Sequence, residues 1–138
     1  MFKKIFKKKI KENPKNKSIL IAALLIHAAK IDENYTKIEK EIIKKALVDL
    51  NGISLTQADI LITDAEIKEK EQNQIVEYTR EIKKYPLDFR LKIIEIIWKI
   101  VYSDGTSDSY ESNLIRRICG LLYVSDKDNG IIKAKLLK

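Results

Sequence analysis

Apolar residues recur along most of this chain at the three- and four-residue spacing of α-helices. Between residues 18 and 138 this pattern predicts seven helices separated by short polar turns. The first of them, from Ser18, and the fifth, from about Asp88, are apolar nearly all round, so we expect both to be buried at the centre. The sequence therefore predicts an all-α fold, a compact bundle of about seven helices.

Capping and breaking residues predict where these helices begin and end. Thr36 and Glu39 have the spacing of a capping box at the start of the second helix. Asp108 and Glu111 have the same spacing at the start of the sixth. Gly52 predicts a left-handed stop after the second helix. The other boundary residues expected on the same grounds are Ser18, Ser54 or Thr56, Pro86, and Ser125 with Asp128.

The helical spacing also predicts which side chains face the core. Trp98 and Tyr102 belong to the central fifth helix, and Cys119 lies on an apolar face where we expect inert burial. The other inward positions that matter below are Ile38, Ile42, Ile43, Ala46, Leu47 and Leu50 in the second helix, and Ile75, Val76, Tyr78, Thr79 and Ile82 in the fourth. The last helix carries Ile131, Ile132, Leu136 and Leu137.

Two acidic turns, 72 residues apart, have nearly the same design. Residues 31–39 and 103–111 each close one apolar run and open the next, with an aspartate, a capping residue four positions on, and a glutamate three after that. Sliding residues 18–50 onto 90–122 keeps helix, turn, cap and exit in phase. The sequence thus predicts two pseudo-repeated helical hairpins in a two-fold-like arrangement.

Composition narrows the class of protein. The chain has 138 residues, of which 45% are hydrophobic, with four glycines and two prolines. These proportions disfavour both disorder and an all-β fold. A single cysteine excludes an internal disulfide, and neither a membrane-spanning run nor a signal-peptide pattern is evident, so we expect a cytoplasmic location.

The net charge of +7 is concentrated in residues 1–17, which hold eight lysines and one glutamate. The remainder has 19 basic and 19 acidic side chains, since 27 − 8 and 20 − 1 both equal 19. We therefore divide the chain into a basic amphipathic leader, residues 1–17, and a helical domain, residues 18–138.

Two interpretations of the leader remain open. Its apolar residues fall on one helical face, which either docks on the domain or lies on an anionic membrane surface, where each lysine contributes about 1 kcal/mol. The second interpretation would make the protein peripheral on the inner face of the membrane. Nucleic acid is disfavoured, because no binding motif is present. The membrane-contacting residues would be Phe2, Lys3, Lys4, Ile5, Phe6, Lys7, Lys8 and Lys9, with Ile10 completing the apolar face.

The turn motifs carry a family resemblance. An alanine-rich helix ends in an Asp-centred turn with glutamate seven positions later, and W-x-x-x-x-S-D-G, from Trp98 to Gly105, precedes D-x-x-E-x-x-L-x-x-R. Over residues 18–130 the chain resembles the TerB-like family, named for tellurite resistance, whose relatives include a membrane-anchored J-domain co-chaperone. The resemblance implies an all-helical fold in a bacterial protein and a metal-binding or stress-response scaffold role. This chain departs from the pattern at Glu33, usually glycine, and Thr36, usually acidic.

The acidic turns have two interpretations. Capping alone explains the Thr36–Glu39 and Asp108–Glu111 pairs. Alternatively, three carboxylates of the second turn could bind Ca²⁺ or Mg²⁺, which prefer hard oxygen ligands, and the first turn could complete the site if the two turns meet. An aspartate at a helix C-terminus is disfavoured by the helix dipole, so it needs compensation. The candidate ligands are Asp104, Asp108, Glu111, Asp32 and Glu39.

No catalytic constellation is recognisable in the sequence. The single histidine, His27, lies within the buried first helix, where packing or capping is the simpler interpretation, and no phosphate-binding glycine loop or Ser-His-Asp set occurs. We therefore predict a non-enzymatic binding or scaffold domain with an unidentified protein partner and a divalent cation as a candidate cofactor. The alternative is a membrane-surface adaptor anchored by the leader.

Overall fold

The computed structural model describes residues 18–31, 35–72, 74–104 and 109–136. Within those ranges it contains seven α-helices, one short 3-10 helix and no strand, which confirms the all-α prediction. The leader lies outside the described residues. The helices are α1, residues 18–29; α2, Lys37–Asn51; α3, Leu55–Glu71; α4, Ile75–Ile82; α5, Leu87–Val101, continued by the 3-10 helix Tyr102–Asp104; α6, Ser109–Leu121; and α7, Asp126–Leu136.

The predicted cap of α2 is confirmed as a complete capping box. The backbone N–H of Glu39 donates to Thr36 Oγ1 at 3.1 Å, and the Thr36 N–H donates to Glu39 Oε1 at 2.8 Å. Gly52 ends the helix in the left-handed conformation, at φ +62°. Ser54, the first of the two alternatives, caps α3 through a second box with Gln57.

Three boundary predictions have other outcomes. Ser18 is already helical, so its role as an N-cap was wrong. The fourth helix, expected over about 72–84, covers only Ile75–Ile82, because residues 83–85 form a turn before Pro86. The predicted capping box of α6 involves Asp108, which lies outside the described residues.

The core forms around α1 and α5, as their apolar sequences predict. Residues 21–26 of α1 are completely buried, and six side chains of α5 are buried too. In α6 the buried residues include Ile115, Ile118 and Cys119. A run buried on consecutive positions can only lie at the centre of a bundle, with other helices on every side. The two helices that carry the acidic turns therefore provide the framework of the fold.

Two predicted core positions are wrong. Ile38 and Val76 are 63% and 38% exposed. In α2 Glu39 is buried in place of Ile38, because its carboxylate belongs to the cap, whereas Ile43, Ala46 and Leu47 are buried as predicted. Helix α7 has no buried residue and covers α5 and α6 with one flank only. Among its apolar residues Ile131 is 55% exposed, Ile132 and Leu136 are half-buried, and Leu137 lies outside the described residues.

The repeat extends further than the predicted hairpins. Helix α1 ends at residue 29 and α2 begins at 37; 72 positions later α5 ends at 101 and α6 begins at 109. The next boundaries match at an offset of 71: Gly52 and Tyr123 both have positive φ, and Ser54 and Ser125 both cap the following helix. We call α1–α3 the first unit and α5–α7 the second; α4 joins them.

The remaining helices pack against one another and against α5. Helix α2 packs on α3 and α5, α4 packs on α6, and α7 packs on α5 and α6. Contacts between α2 and α5 therefore join the first unit to the second. None of the described helices combines the length and the apolar character that crossing a membrane requires.

Candidate functional site

The five candidate cation ligands are only partly described. Asp32 and Asp108 lie outside the described residues, and the backbone places Asp104 at the end of the 3-10 helix that continues α5. Glu39 and Glu111 are buried, at 5% and 6% exposure, in the first turns of α2 and α6. Whether the two turns meet is therefore untested, and the cation site stays a prediction. Within the described residues no group of three or more His, Cys, Asp or Glu side chains is arranged to hold a metal ion.

The first acidic turn is bordered by a tyrosine among carboxylates. Tyr35 directly precedes the cap of α2. Burial raises the pKa of the Tyr35 phenol above its ordinary value, and the nearby carboxylates of Glu66 and Glu39 raise it further. The phenol therefore stays protonated at neutral pH. Glu66 also forms an ion pair with Lys40, at 3.3 Å, which links α3 to α2.

A partly buried ionic cluster joins the end of α1 to α3. The Glu69 side chain accepts hydrogen bonds from Lys30 Nζ at 2.9 Å and from His27 Nδ1 at 3.1 Å, the latter in the tautomer that carries the proton on Nδ1. Burial favours the neutral acid, but the hydrogen bonds and charges of Lys30 and His27 outweigh it and keep the pKa of the Glu69 carboxyl below its usual value. The Tyr78 phenol is fully buried near Glu69, and burial followed by that charge raises the pKa of Tyr78 to about 12.

Sequence reasoning missed this cluster. His27 and Lys30 are three positions apart near the end of an apolar helix, so they share a face, but Glu69 lies 42 residues from His27. The one available signal was a histidine and a lysine on a helix that is otherwise buried, which requires a polar partner somewhere. The expected packed or capping role of His27 is refined: its ring contacts a carboxylate on another helix.

The second acidic turn is adjacent to an aromatic pair. Trp98, buried as predicted, stacks on half-buried Tyr102 with ring centroids 5.3 Å apart. The Trp98 indole N–H donates to Asn129 Oδ1 at 2.8 Å, and Lys133 Nζ lies 5.2 Å from the ring centroid. These contacts attach α7 to the end of α5. The single tryptophan of the chain thus lies close in sequence to Asp104, where its fluorescence would report changes in that turn.

An open groove separates the exposed faces of α2 and α5. Its volume is about 570 Å³. We call it the α2–α5 groove. The floor consists of Ile42, Ala46, Leu50 and Ile96, and the rim consists of Lys45, Asp49, Lys92, Glu95 and Lys99. Glu95 and Lys99 are 3.8 Å apart, so the remaining rim charges are two lysines and one aspartate.

A second groove follows α3 and has a different charge. Its volume is about 520 Å³. We call it the α3 groove. It is lined by Ser18, Asn51, Ile53, Gln57, Ile60, Leu61, Asp64 and Tyr85, among which Asp64 is the charged residue. Both grooves therefore contain apolar side chains, but the charges that line them favour ligands of opposite sign.

The Cys119 side chain lies in the core. Burial, with a smaller effect of the Asp126 charge, raises the pKa of the thiol to about 12. The predicted burial is thus confirmed, and the inertness of the thiol stays a prediction.

Comparison with known proteins adds the family. The family model described as tellurite resistance protein TerB matches residues 18–134, which is most of the chain and agrees with the extent of the helical bundle. No match was found among curated proteins or among solved structures. The turn motifs, the all-α bundle and the family match agree, and the chain belongs to the TerB family.

Proposed function

We propose that this chain is a non-enzymatic binding domain that holds an amphipathic helical segment of a protein partner in the α2–α5 groove. The observation that carries the proposal is the α2–α5 groove itself, which has an open apolar floor and charged side chains from both helices at its rim. Amphipathic helices are bound in grooves of this kind through residues spaced at three and four positions. Because two lysines and one aspartate remain after the Glu95–Lys99 pair, the rim favours a helix flanked by acidic residues.

The ionisable groups support a non-enzymatic role. Among the tyrosine and cysteine side chains whose pKa is raised, Tyr35, Tyr78 and Cys119 line neither groove, and Tyr85 lines the α3 groove but not the α2–α5 groove. The one histidine, His27, forms a hydrogen bond with Glu69. A catalytic acid or base needs access to a substrate as well as a suitable pKa. A binding role needs only the surface that the α2–α5 groove provides.

The test uses a display library of amphipathic helical peptides selected on the purified full-length chain. We expect selected peptides to carry apolar residues at positions i, i+3 or i+4, and i+7, with acidic flanks. In NMR titrations they should shift the amides of residues 42–50 and 92–99. Ile96→Asp should abolish binding, whereas the matched change Ile131→Asp on α7 should not. Peptides that map elsewhere, or bind Ile96→Asp equally well, would contradict the proposal.

We further propose that a divalent cation binds the second acidic turn and is linked to the groove. Helix α5 supports the link: it contributes Lys92, Glu95, Ile96 and Lys99 to the groove, and its 3-10 continuation ends at Asp104. An ion bound there would also offset the unfavourable position of a carboxylate at a helix C-terminus.

Titration with CaCl₂ and MgCl₂ tests the cation. We expect amide shifts in residues 101–111 and a change in Trp98 fluorescence, both lost in Asp104→Asn. Glu111→Gln should weaken the response. An absence of shifts in this segment at millimolar concentrations of either ion would remove the cation from the proposed function while leaving peptide binding unaffected.

A second candidate function is that of a membrane-surface adaptor. The observation that favours it is the basic leader, with eight lysines against one glutamate in residues 1–17. Sedimentation with vesicles containing 30% phosphatidylglycerol measures it. Deletion of residues 1–17 should abolish sedimentation, and Asp104→Asn should leave it unchanged. Equal sedimentation of the full chain and the deletion variant would exclude this candidate.

The family description leads to one cellular proposal, a role in bacterial stress or tellurite resistance exercised in the cytoplasm. Expression of the chain in a tellurite-sensitive bacterial host tests it, with Ile96→Asp as a groove-deficient variant whose folding is checked by circular dichroism. We expect the chain to raise tolerance and the variant to lose that effect. No difference between the chain and an empty vector would contradict a role in resistance.

A further inference from the structure

We infer that residues 1–17 dock on the α3 groove of their own domain, so that the leader's apolar face is covered until a membrane or partner displaces it. The α3 groove continues as an exposed stripe along α3. Ile60 and Ile67 are 60% and 54% exposed, and Asp64 lies between them at helical spacing. An apolar stripe interrupted by a carboxylate suits a segment that combines apolar and basic residues.

The chain's connectivity places the leader at this groove. Residue 17 is bonded to Ser18, and Ser18 lines the α3 groove. Residues 11–17 could extend about 23 Å, enough for the preceding segment to turn back over α3. If residues 2–10 are helical, as their spacing predicts, they span about 12 Å, close to the roughly 10 Å between Ile60 and Ile67 along α3. The leader is therefore both near enough and of suitable length.

The charges of the two grooves favour the α3 groove over the α2–α5 groove as the docking site of the leader. Helix α3 carries five acidic side chains and two lysines. Three of those acids already pair with other helices: Asp59 with Lys44, Glu66 with Lys40, and Glu69 with Lys30. Asp64 forms no ion pair with a described residue and lines the groove. The α2–α5 groove presents three lysines against two acidic side chains, so its excess charge is positive and disfavours a leader of charge +7.

Docking of the leader is a separate interaction from the proposed partner binding. It affects the second candidate function, binding to a membrane surface. The sequence predicts one apolar face for Phe2, Ile5, Phe6 and Ile10, and such a face cannot contact α3 and a bilayer at the same time. Membrane affinity must then be reduced by the fraction of molecules in which the leader is docked. A variant that weakens docking should bind vesicles more tightly, even though it leaves residues 1–17 unchanged.

A spin label tests the contact in the full chain. The label is attached at Lys4→Cys in the Cys119→Ser background, which leaves the leader's apolar face intact. We expect selective loss of amide intensity at residues 57–67 and 85, with residues 92–99 unaffected. Ile60→Lys should restore the intensity, because it removes an apolar contact and repels the leader, and the equally charged Ile131→Lys should not. Broadening centred on another surface, or unchanged by Ile60→Lys, would overturn the inference.

Vesicle binding gives an independent measurement. We expect Ile60→Lys to sediment with 30% phosphatidylglycerol vesicles at several-fold lower lipid concentration than Ile131→Lys, which has the same net charge. If the two variants bound vesicles with equal affinity, the inference that docking of the leader limits membrane binding would be overturned. If neither the parent chain nor any variant sediments, the membrane adaptor fails, and the spin-label result still decides whether the leader docks.

Discussion

Gly52 and Tyr123 adopt the same left-handed backbone, at φ +62° and +57°, at the point where the second helix of each unit ends. They are 71 positions apart, and each precedes a serine-capped helix by two residues. In the first unit the position is filled by the residue that tolerates this conformation best. In the second unit it is filled by a tyrosine, whose Cβ is strained there.

Tyr123→Gly should therefore stabilise the protein by about 1 kcal/mol, because it removes the strain of a non-glycine residue in this region. The Tyr123 side chain is 68% exposed, and its contact with Lys83, 5.6 Å from the ring centroid, contributes less at about 0.5 kcal/mol. Urea unfolding measures the change. Gly52→Ala should show the opposite sign, with a loss of about 1–2 kcal/mol. Gly120→Ala serves as a control, since helical glycine with free space around its Cβ position should gain stability.

Glu69→Gln should destabilise the protein by about 1.5–3 kcal/mol, because it removes the negative charge that His27 and Lys30 bind and replaces one of the two acceptor oxygens by an amide donor. The pKa of Glu69 is lowered on folding, so its contribution to stability is complete above its ordinary value of 4.5 and is lost as the pH falls through the lower folded value. Urea unfolding at pH 7 and below pH 4 measures both effects. The variant should approach the parent at low pH, and a constant difference would contradict the assignment. Glu71→Gln, an exposed carboxylate on the same helix, is the control.

Asn129→Ala should destabilise α7 by about 1–3 kcal/mol, because it leaves the buried indole N–H of Trp98 without its acceptor. Fluorescence of the single tryptophan and amide exchange in residues 126–136 measure the effect. Asn113→Ala, an exposed position on α6, serves as the control. Unchanged fluorescence and exchange in Asn129→Ala would show that the bond does not hold the helix.

Cys119 should resist a thiol reagent at pH 8 in the folded protein, because burial raises its pKa to about 12 and excludes the reagent. The rate of labelling should rise with urea in proportion to the unfolded fraction. Rapid labelling in the absence of urea would contradict the packing of α6.

Most of the fold could be predicted because its signals are local. A capping box such as Thr36–Glu39 and a stop such as Gly52 lie within a few residues of the boundary that they set. Exposure at Ile38 or Ile131 depends instead on which neighbouring helix covers each face, which periodicity does not specify. The Glu69 cluster could not be predicted either, because its partners lie 39 and 42 positions away.

The extent of the repeat was underestimated for a specific reason. The offset changes from 72 at the start of the second helix to 71 just after its end, and tyrosine replaces glycine there, so the similarity disappears from a simple alignment of letters. The left-handed backbone at Gly52 and Tyr123 reveals the repeat, although the residue types at these two positions differ. The candidate cation site remains a prediction because its aspartates at positions 32 and 108 lie outside the described residues.

The lack of any buried side chain in α7 means that the stability of this protein is not a single quantity. Helices α1 and α5 can be exposed only by unfolding the whole core, whereas α7 can separate at the cost of a few half-buried contacts and the Trp98–Asn129 bond. We therefore expect α7 to open at a lower free energy than the rest of the bundle. Helix α7 contacts the end of α5, which carries the second acidic turn, so we expect its local opening to affect that turn before global unfolding.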